Sequence, residues 1–331
     1  MDIQSTETPA LIGLDWGTSS LRAYLFDVSG RVLDSWHSAC GIMHLPKPRE
    51  SGGFDDVFES ICGDWLNASA VPVIAAGMVG SAQGWAEAPY IAAPANSAPL
   101  IGALKTVVSS RGTLVHIVPG IIERGAFPNV MRGEETQIFG ALTAHPALGA
   151  GGKTLIGLPG THAKWAFVVD GYLERFLTFM TGEVFAVLRD YTILGRTMHP
   201  CGGRDDDAFL RGIDMAVHAG ATGMLSTIFS TRTLGLTGEL RPEQQSDYLS
   251  GLLIGHELAG LSSHLASQGS TLDDWKLGLI GAENLCERYR TALHRIGAPD
   301  AGILHGTTEC GLFHIAREAG LLPTIARSIP E

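Results

Sequence analysis

The first place in this chain where residue types and spacing could do chemistry is Asp15-Trp16-Gly17-Thr18-Ser19-Ser20-Leu21-Arg22. An acid ending an apolar run, followed by glycine and hydroxyl residues, can place a carboxylate near Mg²⁺ while backbone N–H groups and the Thr18 and Ser19 hydroxyls face phosphate oxygens. The same letters also describe an ordinary hairpin turn with a solvated aspartate. A second copy, Leu158-Pro159-Gly160-Thr161-His162-Ala163-Lys164-Trp165, favours phosphate. Two Gly-Thr turns facing each other could grip one polyphosphate from both sides, with Arg22, His162 and Lys164 adding donors. Pro159 stands where Asp15 does, so a metal-linked carboxylate is expected only in the first half.

Met131-Arg132-Gly133-Glu134-Glu135-Thr136-Gln137 leads into the helical run Ile138, Phe139, Ala141, Leu142. Paired acids there suit the positive end of a helix dipole, a common structural use. The same group could bind a sugar acid through Arg132, Thr136 and Gln137 and take a proton from its hydroxyl. Glu134 stands narrowly ahead of Glu135 as that base. Gly77-Met78-Val79-Gly80-Ser81-Ala82-Gln83-Gly84-Trp85 follows a buried-looking strand, at the end where open α/β sheets take ligands. Gln83 could bond sugar hydroxyls, and Trp85 could pack on the substrate or anchor the loop. Gly281-Ala282, between a strand and a helix, could admit a flat base to the backbone, although close helix packing explains the same small residues. Asp205-Asp206-Asp207 reads as a solvated helix start, because consecutive acids spread around a helix and cannot all face one ion.

These segments must be held by elements, and the elements repeat. Leu11-Ile12-Gly13-Leu14 recurs as Leu155-Ile156-Gly157-Leu158. After each Gly-Thr come further strand-like runs, Leu21 to Phe26 and Arg31 to Trp36, then Trp165 to Val169 and Tyr172 to Thr178. Amphipathic helices follow, through Phe54, Val57, Phe58, Ile61, Trp65 and Leu66 in the first half and Val184 to Tyr191 in the second. Strand-like runs at Val71 to Ala76, Thr113 to Val118, Leu277 to Ile280 and Gly302 to His305 complete the alternation. Three antiparallel strands followed by βα units, present twice, predict an α/β fold of two ribonuclease-H-like domains of the actin and hexokinase type, with a ligand cleft between them. The boundary falls in Ala144 to Gly152, dividing the chain into 1–147 and 148–331.

Length agrees, since 331 residues exceed one ordinary core. A net charge of −11 argues against a nucleic-acid partner and requires a few placed cations wherever an anion binds. Five scattered cysteines suggest neither a disulfide framework nor a zinc site, and fit a reducing cytoplasm. No stretch approaches the ~18 apolar residues of a membrane span, so no membrane partner is expected.

On these segments, with Gly251-Leu252-Leu253-Ile254-Gly255-His256-Glu257 added, the chain resembles the 2-dehydro-3-deoxygalactonokinase family over nearly its whole length. Met131 to Gln137 is the most distinctive match. The resemblance implies ATP- and Mg²⁺-dependent phosphorylation of the 6-hydroxyl of 2-dehydro-3-deoxy-D-galactonate in galactonate breakdown. The 1–147 domain would bind the sugar acid, a homodimer is allowed, and the 148–331 domain would bind the nucleotide. Asp15 would orient Mg²⁺, Arg132 would meet the substrate carboxylate, and Glu134 or Glu135 would accept the proton. Pro159 and Gly281-Ala282 depart from the acid and the Gly-Gly commoner in the wider superfamily. Two other readings are a kinase for a related sugar or keto-deoxy acid, and a non-catalytic nucleotide-dependent sensor.

Overall fold

The computed structural model describes residues 8–149, 151–200 and 202–322. Ala150, inside the expected boundary, and Cys201 lie outside them. The run ending near Asp15 forms β1 (Pro9–Trp16), and the next two runs form β2 (Leu21–Asp27) and β3 (Val32–Ser38). Side chains alternate along a strand, which divides β1 between two faces. Ile12, Leu14 and Trp16 join Leu21, Ala23 and Leu25 in a core with Phe54, Val57 and Phe58 of α1 (Gly53–Ala68). Gly13 and Asp15 point to the opposite face.

The strands that follow are β4 (Val73–Ala76), β5 (Tyr90–Ala92), β6 (Lys105–Val108), β7 (Leu114–Ile117), β8 (Gly120–Glu123) and β9 (Asn129–Met131). They complete a sheet of order β3-β2-β1-β4-β7-β6 and a smaller one of order β5-β8-β9. Strand β1 runs antiparallel to β2 and parallel to β4, with Asp15 in register with Arg22 and Ala76. The acid, its turn and the Gly77 loop therefore share one end of the sheet.

The second half repeats the plan with β10 (Lys153–Leu158), β11 (Ala163–Val169), β12 (Tyr172–Phe179), β13 (Lys276–Leu279) and β14 (Ala301–Ile303). Their order is β12-β11-β10-β13-β14, with β10, β13 and β14 parallel. Read outward from the three-stranded meander, this is the order of β3-β2-β1-β4-β7, so the ribonuclease-H-like arrangement occurs twice.

The helices used below are α2 (Glu134–Ala144), α3 (Thr181–Tyr191), α4 (Asp206–His218), α5 (Gln245–Ala266), α6 (Glu283–Arg295) and α7 (Thr307–Glu318). Asp205 caps α4, accepting the Ala208 N–H at 2.9 Å, so the three-aspartate run is a helix start. Among the described residues no helix is long and apolar enough to cross a membrane.

The chain forms two compact units. The first takes in the chain up to Gly152, the turn Val169–Arg175 and the segment carrying α7; the second comprises Lys153–Val168 and Phe176–Leu304. This differs from a single cut between 147 and 148, because α7 returns to the first unit. The reason is apolar burial. Leu312 has no exposed surface and lies against Gly13, while the Phe313 ring sits 5.8 Å from that of Phe26.

Candidate functional site

In the first unit three of the segments converge at the carboxyl ends of β1 and β4. Asp15, whose side chain is 15 % exposed, accepts a hydrogen bond from Arg22 Nη2 at 2.5 Å through Oδ2. Gly77, directly after β4, has φ +95°, and a Cβ there would come 2.8 Å from the Trp16 carbonyl oxygen and 3.5 Å from Asp15 Oδ1. A Cβ on Gly133 would reach 3.1 Å from the Gly77 Cα. Glycine at these two positions lets the loop after β4 and the turn before α2 close over the acid. Burial raises the Asp15 carboxyl above its usual range against the pull of Arg22, and Glu309 adds to the rise. Glu309 lies one helical turn ahead of Leu312, toward the end of the sheet that carries Asp15, Arg22 and Tyr24. In the turn itself Gly17 N–H donates to the Ser20 carbonyl at 2.9 Å, and Thr18 and Ser19 are exposed.

The Met131 to Gln137 segment separates into different jobs. Glu134 is half-buried at the start of α2, and its Oε2 accepts the Arg132 backbone N–H at 3.0 Å. Glu135 has no exposed surface; its two carboxylate oxygens accept the Gly133 N–H at 2.9 and 2.7 Å, and Oε1 also accepts Thr136 Oγ1–H at 3.2 Å. Burial, with Glu134 beside it, pushes Glu135 up to about 8. An enclosed carboxyl cannot touch a substrate hydroxyl, which removes Glu135 from the two expected bases; Glu134 keeps some exposed surface. Thr136 is likewise fully buried, and Gln137 is spent on Thr308 Oγ1 of α7 at 3.1 Å.

Arg132 also departs from expectation. It is only 8 % exposed; Nη2 donates to the Ala88 carbonyl at 2.9 Å, and the guanidinium lies 4.3 Å over the Tyr90 ring. Nε and Nη1 are enclosed without a hydrogen-bond partner. The side chain is turned inward beneath the Gly77 loop, where a Cβ on Gly80 would come 3.0 Å from Nη1, and the ring face and one carbonyl offset part of the cost of enclosing the cation. Trp85 proves to be the loop's anchor, stacked on Phe54 at 6.0 Å and packed against Trp16 and Phe58. Gln83 is exposed on the open rim of the loop, whereas Met78 is half-buried and packs against the core.

The second unit holds the other turn differently. Gly160 is half-buried, and Thr161 and His162 are exposed. His162 Nε2 meets Glu183 Oε2 at 2.5 Å, and the Glu183 N–H donates to the Thr161 carbonyl at 3.0 Å, so the start of α3 braces the turn. A Cβ on Gly182 would fall 2.4 Å from the Gly160 carbonyl oxygen, which leaves room for glycine alone. Lys164 is 5 % exposed, with Nζ 3.4 Å from the His162 carbonyl, so it supports the turn from within. Gly281 and Ala282 are exposed, and a Cβ on Gly281 would lie 3.2 Å from the Pro159 carbonyl oxygen. Ala282 starts α6 with no side-chain cap, leaving that helix end open to an anion or a polar ligand.

A cavity of about 320 Å³ opens beside Gly160. Its walls include Thr181 and Phe185 of α3, Leu253 of α5, and Leu285, Arg288 and Tyr289 of α6. Its size is within the range of small-molecule pockets. Sequence reasoning did not find this cavity or the group that braces it. Glu257, 2 % exposed, accepts Trp165 Nε1–H at 2.7 Å and the Tyr289 hydroxyl at 2.8 Å, and also the Thr181 hydroxyl. Burial raises its carboxyl while these three donors lower it. The only signal was the Gly251 to Glu257 segment; the partners lie 92, 76 and 32 positions from the glutamate, and spacing does not predict such contacts.

Comparison with known proteins bears on this geometry. A model of the family described as 2-keto-3-deoxy-galactonokinase matches residues 15–315. The chain is similar to the 2-dehydro-3-deoxygalactonokinase of Escherichia coli (strain K12), 32% identical over 311 residues, covering 93% of this chain and 98% of that one. It is 37% identical over 291 residues to a protein of Rhizobium meliloti (strain 1021) named as a probable 2-dehydro-3-deoxygalactonokinase, covering 86% and 89%. A crystal structure of a candidate 2-dehydro-3-deoxygalactonokinase from Sinorhizobium meliloti matches with a TM-score of 0.81 at 34% identity, covering 93% of this chain and 98% of that one.

Proposed function

The chain belongs to the 2-keto-3-deoxy-galactonokinase family, and from that premise we propose how its residues perform the kinase reaction. It phosphorylates 2-dehydro-3-deoxy-D-galactonate at the 6-hydroxyl with ATP as donor, a step of galactonate breakdown. The first unit holds the sugar acid and the second the nucleotide. The observation that carries this reading is the convergence of Asp15, the Gly77 loop and Glu134 at one end of one sheet, each drawn from a different stretch of sequence.

The substrate hydroxyl oxygen attacks the γ-phosphorus, the bond to the ADP oxygen breaks, and the hydroxyl proton passes to the Glu134 carboxylate. Such transfers need alignment and charge stabilisation more than activation. The Gly77 loop, with Met78 and Gln83, orients the sugar, and Glu134 is kept in place by the Arg132 N–H. Arg132 acts from beneath, fixing the Ala88 carbonyl and the Tyr90 ring. Thr18 and Ser19 are the first unit's candidates for phosphate contact, Gly160 and Thr161 are those of the second, and the cavity beside Gly160 takes the nucleoside.

Among the described residues no group of three or more His, Cys, Asp or Glu side chains is arranged to hold a metal. The single carboxylate of Asp15 still fits Mg²⁺, which is commonly bound through one or two carboxylates and substrate phosphates. When bound, the ion supplies charge neutralisation on the phosphates, and Asp15 is the residue that would orient it through Oδ1, the oxygen not used by Arg22.

The test is ADP release measured by a coupled assay over a panel of sugar acids. Strong turnover of 2-dehydro-3-deoxy-D-galactonate, abolished by omitting ATP, is the expected result. A higher kcat/KM for another keto-deoxy acid would reassign the substrate, and nucleotide binding without sugar-dependent turnover would remove the catalytic reading.

A further inference from the structure

The inward turn of Arg132 leaves the carboxylate of the substrate without its expected partner. That carboxylate lies at the far end of the sugar chain from the reacting hydroxyl. The cation that binds it must be within reach of the proposed sugar loop and must not already be paired. Arg22 fails on the second count, since Asp15 holds it.

Arg49 meets both. It is exposed, and its Nη1 donates to the Ala82 carbonyl at 2.9 Å, next to Gln83 on the loop's open side. The bond orients the guanidinium and leaves its other donors for a ligand. Arg22, Arg31, Arg111, Arg211, Arg288 and Arg295 each hold a carboxylate within the chain. Arg49 has no acidic partner among the described residues, although the chain carries a net charge of −11. Neighbouring Lys47 is already paired with Asp56 at 2.5 Å.

The segment that presents Arg49 is itself held at both ends. Ile42 and Met43 N–H groups donate to the Gly17 and Thr18 carbonyls at 3.0 and 3.1 Å, tying it to the phosphate turn. At the other end the Pro48 carbonyl accepts the Ser51 and Gly53 N–H groups at 3.0 and 3.2 Å, and Pro46 and Pro48 stiffen the chain between. One strap thus runs from the phosphate turn to the sugar loop and ends in an unpaired guanidinium.

We infer that Arg49 binds the carboxylate of the sugar-acid substrate and so selects acids over neutral sugars. The inference rests on the proposed function and adds the residue that reads the acid group. A planar guanidinium matches a carboxylate in geometry and charge.

The test compares the acid with its neutral analogue, in which a hydroxymethyl group replaces the carboxylate, using the full chain at saturating ATP. Arg49→Gln is expected to raise KM for the acid about 10- to 100-fold and to leave KM for the neutral analogue within about twofold, with Arg49→Lys intermediate. An unchanged KM for the acid, or an equal rise for both compounds, would overturn the assignment while leaving the kinase reading intact. A thermal melt of Arg49→Gln matching that of the wild type keeps a folding defect from imitating the expected result. Wild-type protein inert toward the acid would instead overturn the kinase reading, and Arg49 with it.

Discussion

The two Gly-Thr turns stand at the same place in two copies of one strand order, yet different groups pack around them. The first is backed by a carboxylate: Asp15 is next to last in β1, is paired with Arg22, and has the Gly77 and Gly133 loops closed upon it. The second has Pro159 in that place and is backed by a helix start, with Gly182 against Gly160 and a cavity alongside. The frame is thus repeated, and what differs is the set of groups around each turn; on the proposed function that difference assigns each turn its chemistry. A turn that keeps an acid can orient a metal and neighbour the reacting hydroxyl. A turn that loses the acid and gains a cavity suits the nucleoside end of ATP.

The comparison breaks most visibly at its acid. Asp15→Ala should lower kcat by about 10²–10³-fold, whereas Pro159→Ala at the matching place should change it by less than about threefold; steady-state rates at saturating ATP and acid would show whether the turns really differ. Within the first unit, Glu134→Gln should lower kcat by about 10²-fold while Glu135→Gln retains most of it. If both variants kept wild-type kcat, neither glutamate would be the base.

For the second turn, Glu257→Gln should raise KM for ATP about tenfold and leave KM for the acid nearly unchanged. A glutamine accepts through one oxygen only, so either Trp165 loses its acceptor, at a cost of roughly 1–3 kcal/mol, or the Thr181 and Tyr289 hydroxyls must reverse and accept from the amide. A shift in both KM values together would mean that Glu257 serves the whole fold and not the cavity wall.

The effect furthest from turnover is in the pH dependence of stability. Glu135 sits at about 8 in the folded chain, above its ordinary 4.5. Between those values the folded form keeps a proton that the unfolded chain has lost, so the glutamate makes stability fall with rising pH, by at most ~1.4 kcal/mol per unit. Denaturant titrations of Glu135→Gln across that window should give a flatter profile than wild type, and parallel profiles would place the carboxyl nearer its ordinary range.

What could be read from residues alone had a common character: it was periodic or local. The repeated Leu-Ile-Gly-Leu, the β runs after each Gly-Thr, and the apolar spacing through Phe54 to Leu66 located β1, β2, β10, β11 and α1, because alternation and helical period are properties of neighbours in the chain. Asp205 as a helix start was legible for the same reason. The inward turn of Arg132, the anchoring role of Trp85 and the return of α7 to the first unit were not. Each depends on which distant surface lies opposite: Tyr90 under the guanidinium, Phe54 against the indole, Gly13 beneath Leu312.

The sequence by itself determined the repeat, the succession of strands and helices in each half, and the candidate residues for the site, since these follow from hydrophobic period and turn chemistry. Tertiary structure alone decided which of two adjacent glutamates stays reachable and which is sealed into its own turn, and which arginine faces out. Neighbours in sequence point in different directions once a helix begins, and burial, which sets both access and protonation, is known only when the rest of the chain has closed around them.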